Sequence, residues 1–297
     1  MTAVIETQEL TKSYGSERGI EAVSLEVRPG EVFGFLGSNG AGKTTTIRVL
    51  LDLLHPTGGR ALLFGLDSRR DSVAIRARLG NLPGDFAYDE RLTGRELLEF
   101  FAALRGMRDL GQAPALAERF EANLDRPLGH LSRGNRQKIG LIQALFHGPE
   151  LLILDEPTSG LDPLMQEQFL EVIGEQRDSG VTVFLSSHEL REVQRVCDRV
   201  GIIRAGRLVD VEPVAQLRHR TMHRVELVFA DPVGPEEFAA LPGVRDLTVT
   251  DGRMAFRVEG ALDPVIKAAA RHTVRDVEIV EPGLEEVFLG FYQHGEG

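Results

Sequence analysis

A single cysteine, Cys197, stands in the 297 residues. That leaves no intrachain disulfide and no cysteine metal cluster, and it fits a reducing, cytosolic compartment. No apolar run approaches the roughly 20 residues that a membrane-spanning helix needs. Met1 leads into a mixed segment holding Glu6 and Glu9, without the pattern of a signal peptide. Any service to a membrane is therefore expected to go through a partner. Positive charge is short as well: the formal net charge is -11. A broad nucleic-acid surface, which demands a basic face, is not expected. Lysine is confined to Lys12, Lys43, Lys138 and Lys267, with arginine supplying the other basic positions, a bias of little functional weight. Internal repeats and low-complexity tracts are missing too. What is present is 42% hydrophobic residues, enough for a packed core. The length allows one large or two modest domains.

Val4 to Val27 alternates polar and apolar residues and predicts antiparallel strands. Glu31 to Leu36 is a short apolar strand, followed by a helix predicted over Thr44 to Leu54 and ended by His55-Pro56. Thr93-Gly94-Arg95-Glu96 has capping-box spacing before an apolar run, and a second helix is predicted around Pro114 to Leu124. Residues of about 85–135 read as a helical insert. A helix from Gly134 to Phe146 begins behind Ser132. Then come strand Leu151–Leu154, helix Leu164–Gln176 and strand Val181–Leu185. Strands alternating with helices imply a parallel sheet with its site at the strand C-terminal ends. Asp210 to Arg220 reads as a linker. Beyond it the pattern is β-α-β-β-α-β, the ferredoxin-like order, followed by an amphipathic helix over Leu284 to Tyr292.

Gly37-Ser38-Asn39-Gly40-Ala41-Gly42-Lys43-Thr44 matches the phosphate-loop pattern. Glycines let the backbone wrap phosphates with its N–H groups, and the next helix offers its N-terminus to anions. Lys43 supplies a charge to the β- and γ-phosphates. The Thr44 hydroxyl is a hard oxygen for Mg²⁺, and Thr45 is within reach of the α-phosphate. Further on, Leu151–Leu154 runs into Asp155 and Glu156. Beside a phosphate loop, Asp155 is the candidate to hold Mg²⁺ and Glu156 the candidate general base.

Leu131-Ser132-Arg133-Gly134-Asn135 precedes those acids, Ser159-Gly160-Leu161-Asp162 follows them, and Ser187-His188-Glu189 ends the next strand. With the phosphate loop, this order over residues 4–210 resembles the ATPase domain of ATP-binding cassette (ABC) transporters. The resemblance implies an α/β fold: a P-loop NTPase domain of ABC type (a mixed sheet with a helical insert) over residues 1–215. A small C-terminal α+β accessory domain would take up residues 221–297. It also implies roles. Ser132, Arg133, Gly134 and Asn135 would form the signature that completes the nucleotide site of the opposite subunit. Asp162 would lie in the loop linking the two sites across the dimer. His188 would be the switch histidine at the γ-phosphate, and Tyr14 the aromatic that stacks on adenine. Arg136-Gln137-Lys138 would place donors near the opposing phosphates or on the solvated face.

The pattern departs in two places. The signature has Arg133 and Asn135 where many relatives have glycine and glutamine. The family's Mg²⁺-binding glutamine is replaced by Gly84, so either Asp85 supplies the oxygen or water does. The expected function is an ATP-hydrolysing homodimer at the cytoplasmic face of the membrane, powering a separate integral membrane permease. Glu281 to Leu289 resembles the tail of ATPases serving ABC-2-type exporters of drugs, antibiotics, lipids or polysaccharides. The alternatives are an importer ATPase and a non-transport ABC protein of translation or repair.

Overall fold

A computed structural model describes residues 2–15, 17–85, 88–216, 222–250 and 252–280. The alternating start gives an antiparallel pair, β1 (Ile5–Tyr14) and β2 (Glu17–Val27). β3 (Val32–Leu36) runs into the glycine-rich loop and α1 (Lys43–Leu50). Next come β4 (Gly58–Leu63), β5 (Leu66–Asp67), α2 (Ser72–Arg78) and β6 (Leu79–Leu82). The helical insert holds α3 (Gly94–Leu104) and α4 (Ala113–Arg119) and leads into α5 (Arg133–Leu145). β7 (Leu151–Asp155), α6 (Pro163–Asp178), β8 (Thr182–Ser187) and α7 (Leu190–Val196) follow. β9 (Arg199–Arg204) and β10 (Arg207–Pro213) end the run.

These strands form two sheets, ordered β2-β1-β4-β5 and β10-β9-β3-β8-β7-β6. In the second, β3 pairs parallel with β8 and β9, and β7 pairs parallel with β8 and β6. β3, β7 and β8 are buried at every position. Both of their faces are covered, which is why their sequences are apolar without alternation. Phe184 packs between Phe33 and Phe35, with ring centroids 5.8 and 5.4 Å away. Because β8 lies between β3 and β7, three loops leave the sheet side by side. They carry the glycine-rich segment, the paired acids and His188. Parallel sheets place their ligands at this rim.

Thr93 and Glu96 close the expected capping box on α3: Thr93 Oγ1 accepts from Glu96 N–H at 3.2 Å, and Glu96 Oε2 accepts from Thr93 N–H at 2.8 Å. Three boundaries differ from expectation. α1 stops at Leu50, not Leu54, because Asp52 turns into the left-handed region at φ 55°. The N–H groups of Leu53 and Leu54 then return to the Arg48 carbonyl at 2.8 and 3.1 Å, a hydrogen-bonded helix stop. α4 likewise ends early, and Glu121 is left-handed at φ 49°. The stretch read as a linker from Asp210 begins inside β10, since Leu208 and Val211 pack against the core despite their acidic neighbours.

Contacts divide the chain into two compact units, 1–212 and 213–297. In the second lie β11 (Met222–Phe229), α8 (Pro235–Ala239), β12 (Val244–Thr250), β13 (Arg253–Glu259), α9 (Asp263–Ala269) and β14 (Val274–Val280). The sheet order is β12-β13-β11-β14, antiparallel throughout. That is the ferredoxin-like arrangement, with Val225, Leu227, Phe238, Phe256 and Val265 in its core. The helix expected over Leu284 to Tyr292 lies outside the described residues.

Candidate functional site

The glycine-rich loop is built for close backbone packing. Gly42 sits at φ 112°, and a Cβ there would come within 2.8 Å of Ile20 Cγ2, so a side chain is excluded on both counts. α1 then starts with no side-chain cap and no acid in its first turn. Its leading N–H groups have no intrahelical acceptor, and the helix dipole adds positive potential. Ser38, Asn39 and Gly40 are exposed, Gly37 and Ala41 are buried, and Thr44 and Thr45 are half-buried on the first turn. A donor-rich, acid-free loop of this kind fits a chain of phosphates. Lys43 is 4% exposed. Its Nζ donates to the carbonyls of Gly37 at 2.7 Å and Ser38 at 3.1 Å, and lies 3.2 Å from Glu156 Oε1.

Asp155 ends β7 in the interior. Its Oδ1 accepts the Ser186 hydroxyl at 2.6 Å, and Ser186 Oγ accepts the Glu156 N–H at 3.0 Å. Glu156 has φ 48°, a conformation uncommon outside glycine and often found at functional turns. The turn points the carboxylate at two groups: Oε1 faces Lys43, and Oε2 lies 3.4 Å from His188 Nδ1. Gln137, on α5, donates to the Pro157 carbonyl at 2.9 Å and more weakly to that of Glu156 at 3.4 Å. Gln137 was expected near phosphates or on the solvated face. It is buried instead, because its helix position faces the acidic turn, whose carbonyls need donors. Ser186 did not stand out in the sequence, and Gln137 did so only as a donor with another target. The available signal was a polar side chain on a buried stripe, which always needs a partner.

Tyr14, at the end of β1, is 43% exposed, with Lys12 Nζ 5.5 Å from its ring centroid. Ser132 caps α5 by accepting the Asn135 N–H at 3.3 Å, and Asn135 Nδ2 also donates to Ser132 Oγ at 3.1 Å. Arg133 Nη2 donates to Ser159 Oγ at 2.9 Å. A Cβ on Gly134 would meet the Gly160 carbonyl at 2.6 Å. The start of α5 therefore rests on the loop that follows Glu156. Asp162 caps α6, its Oδ1 accepting the Met165 N–H at 3.0 Å.

Gly84 comes close to the acids: a Cβ there would lie 3.1 Å from Asp155 Oδ2. Asp85 is exposed and opens onto a cavity of about 310 Å³ that Gly84, Tyr88, Arg133, Arg136 and Gln137 also line. Among the described residues no group of three His, Cys, Asp or Glu is disposed to hold a metal ion by itself. Thr44 and Asp155 suit a Mg²⁺ that arrives with phosphates, since that ion takes few protein ligands beside substrate oxygens.

Comparison with known proteins decides the family. A profile described as ABC transporter matches residues 20–159. The chain is 38% identical over 237 residues to the bacitracin transport ATP-binding protein BcrA of Bacillus licheniformis, covering 78% of this chain and 76% of that protein. It belongs to the ABC transporter family. This ABC ATPase is also 36% identical over 292 residues to the daunorubicin resistance ATP-binding protein DrrA3 of Streptomyces coeruleorubidus, across 94% of this chain and 92% of that one. A solved ATP-binding subunit of an ABC transporter superposes at a TM-score of 0.67 with 31% identity, over 72% of this chain and 92% of the other. Among the described residues of the ABC ATPase, no helix is long and apolar enough to cross a membrane.

Proposed function

We propose that this ATPase powers export of a drug- or antibiotic-class compound through a separate membrane permease, as a homodimer at the cytoplasmic face of the membrane. The observation that carries hydrolysis is Glu156 set between Lys43 and His188, at 3.2 and 3.4 Å. In this reading the loop Gly37–Thr45 binds the phosphates, with Tyr14 stacked on the adenine. Thr44 and Asp155 hold Mg²⁺, which supplies neutralising charge to the β- and γ-phosphates. Glu156 takes the proton of the attacking water, and His188 orients that water against the γ-phosphate. Ser132 to Asn135 complete the partner's site, and Asp162 lies at the dimer seam. The export direction and compound class are supported by the likeness to DrrA3, which extends across most of the chain.

The permease would dock on the helical insert and the neighbouring cavity. Phe100 and Leu104 of α3 stay 56% and 67% exposed, although Leu97 and Leu98 of the same helix are buried, and this is a large outlay of apolar surface on one helix face. The test is affinity purification of the tagged chain from membranes of its own cells. A co-purifying polytopic membrane protein supports the reading, whereas ribosomes or DNA in its place would point to the non-transport class. A co-purifying external solute-binding protein would favour import.

For the ligand missing at Gly84, we infer that water, and not Asp85, completes the metal shell. Asp85 opens onto the arginine-lined cavity, while the backbone of Gly84 is what approaches Asp155. Asp85→Ala should leave kcat and the Mg²⁺ concentration for half-activity within about twofold of wild type, as for an ordinary surface change. A tenfold or greater rise in the Mg²⁺ requirement would return Asp85 to the metal.

A further inference from the structure

Glu192 is a carboxylate in the interior, on α7, and plays no part in the site as described. It is 6% exposed. Its Oε2 accepts the Ser187 hydroxyl. Its Oε1 has no hydrogen-bond partner among the described residues. Burial pushes its pKa up to about 7 against the pull of the nearby Ser187 and Thr158 hydroxyls, and the charges of Glu189 and Glu156 add to the rise. Cys197 and Asp198 lie beyond it at the end of α7, where the charge of Glu192 adds to the rise in the buried Cys197 thiol. Arg195 of the same helix pairs with Glu167 of α6.

A buried carboxylate with one idle oxygen is a poor choice for stability, and an apolar side chain of similar volume usually serves better. The placement of its partner suggests what it does. Ser187 immediately precedes His188, and its Oγ also accepts the Glu189 N–H at 2.9 Å, so it brackets the histidine. The carboxylate thus holds the segment bearing the histidine, whose Nδ1 stands 3.4 Å from Glu156 Oε2.

We propose that Glu192 is a positioning residue for ATP hydrolysis, holding the His188 loop in register with Glu156 through Ser187. The proposal rests on the reading of Glu156 as the general base. It concerns turnover, not nucleotide affinity, because the phosphate loop and Lys43 are anchored separately.

The experiment measures kcat and KM for ATP hydrolysis by the full chain, with folding checked by circular dichroism. Glu192→Leu removes the acceptor of the Ser187 hydroxyl. A slip of the catalytic groups by about 1 Å lowers turnover on the order of 100-fold, and that loss is expected in kcat with KM nearly unchanged. Glu192→Gln keeps an oxygen for the Ser187 hydroxyl and should recover kcat to within about tenfold of wild type, the remainder being the strength a charged acceptor adds. It should also flatten the rise of kcat with pH across neutrality, since the glutamine does not ionise. Wild-type kcat in folded Glu192→Leu overturns the proposal, as does a Glu192→Gln enzyme no better than the leucine variant. A loss that falls on KM instead of kcat overturns it equally. If the leucine variant does not fold, Ser187→Ala removes the hydroxyl that Glu192 holds, and wild-type kcat there is a refutation. Glu156→Gln is assayed in parallel. Full hydrolysis by that variant removes the base assignment itself, whereas an inactive Glu156→Gln beside a fully active Glu192→Leu removes only the role of Glu192.

Discussion

Lys43→Ala is expected to lose ATP binding by two to three orders of magnitude. The ammonium is buried and held by the carbonyls of Gly37 and Ser38 at 2.7 and 3.1 Å, with Glu156 at 3.2 Å. All three contacts come from segments that frame the proposed phosphate site, so the cation is held where negative charge will arrive. Removing it leaves the Glu156 carboxylate facing phosphates with no cation between them. Breaking a buried charge pair by deleting one partner costs about 3–5 kcal/mol, and each factor of ten in affinity is about 1.4 kcal/mol. Titration with a fluorescent ATP analogue measures the loss, and a melting curve checks the fold. Affinity within about threefold of wild type, less than 1 kcal/mol, would refute the phosphate assignment.

Glu156→Gln separates binding from chemistry. The amide keeps the size of the side chain and its contacts, but it no longer takes a proton from water. General base catalysis is commonly worth about 10²–10⁴ in rate, and kcat should fall by that much while ATP affinity holds. In the proposed cycle the variant also accumulates as a closed, ATP-bound dimer, visible as a doubled mass in gel filtration with ATP and Mg²⁺. Hydrolysis at the wild-type rate would remove Glu156 as the base. Unchanged hydrolysis combined with a trapped dimer is not expected, because release depends on turnover.

The parallel sheet was legible because its strands announce themselves. Val32–Leu36 and Leu151–Asp155 are apolar at nearly every position, and each ends directly in a chemical motif. The capping box at Thr93 and the ferredoxin-like order of the second unit were equally plain, since both depend on local spacing. Boundaries were harder where backbone hydrogen bonding overrode composition. Leu51 and Leu54 extend the helical apolar pattern, yet Asp52 ends α1 by adopting a left-handed backbone. β10 was hidden because Asp210 and Glu212 give it the look of a linker, while the packing of Leu208 and Val211 decides its structure.

The site divides along the same line. Motif residues such as Lys43, Asp155 and Glu156 carry their chemistry in their spacing. Ser186, Gln137 and Glu192 do not. Their partners lie on other elements, so only the pairing of β7 with β8 and the seating of α5 and α7 give them a function. A serine in a strand reads as neutral, and a glutamine in a helix as a donor without a target, until those neighbours are known.

The close approach of Gly134 to the Gly160 carbonyl, with Arg133 bonded to Ser159, has a bearing on how two subunits would share work. The helix start that would press on a partner's nucleotide is seated on the loop leaving its own Glu156. In that arrangement a push at one nucleotide would be delivered to the turn that serves the other. In the proposed homodimer the two ATP molecules would not be spent independently, and the rate would climb with ATP concentration more steeply than a single-site hyperbola.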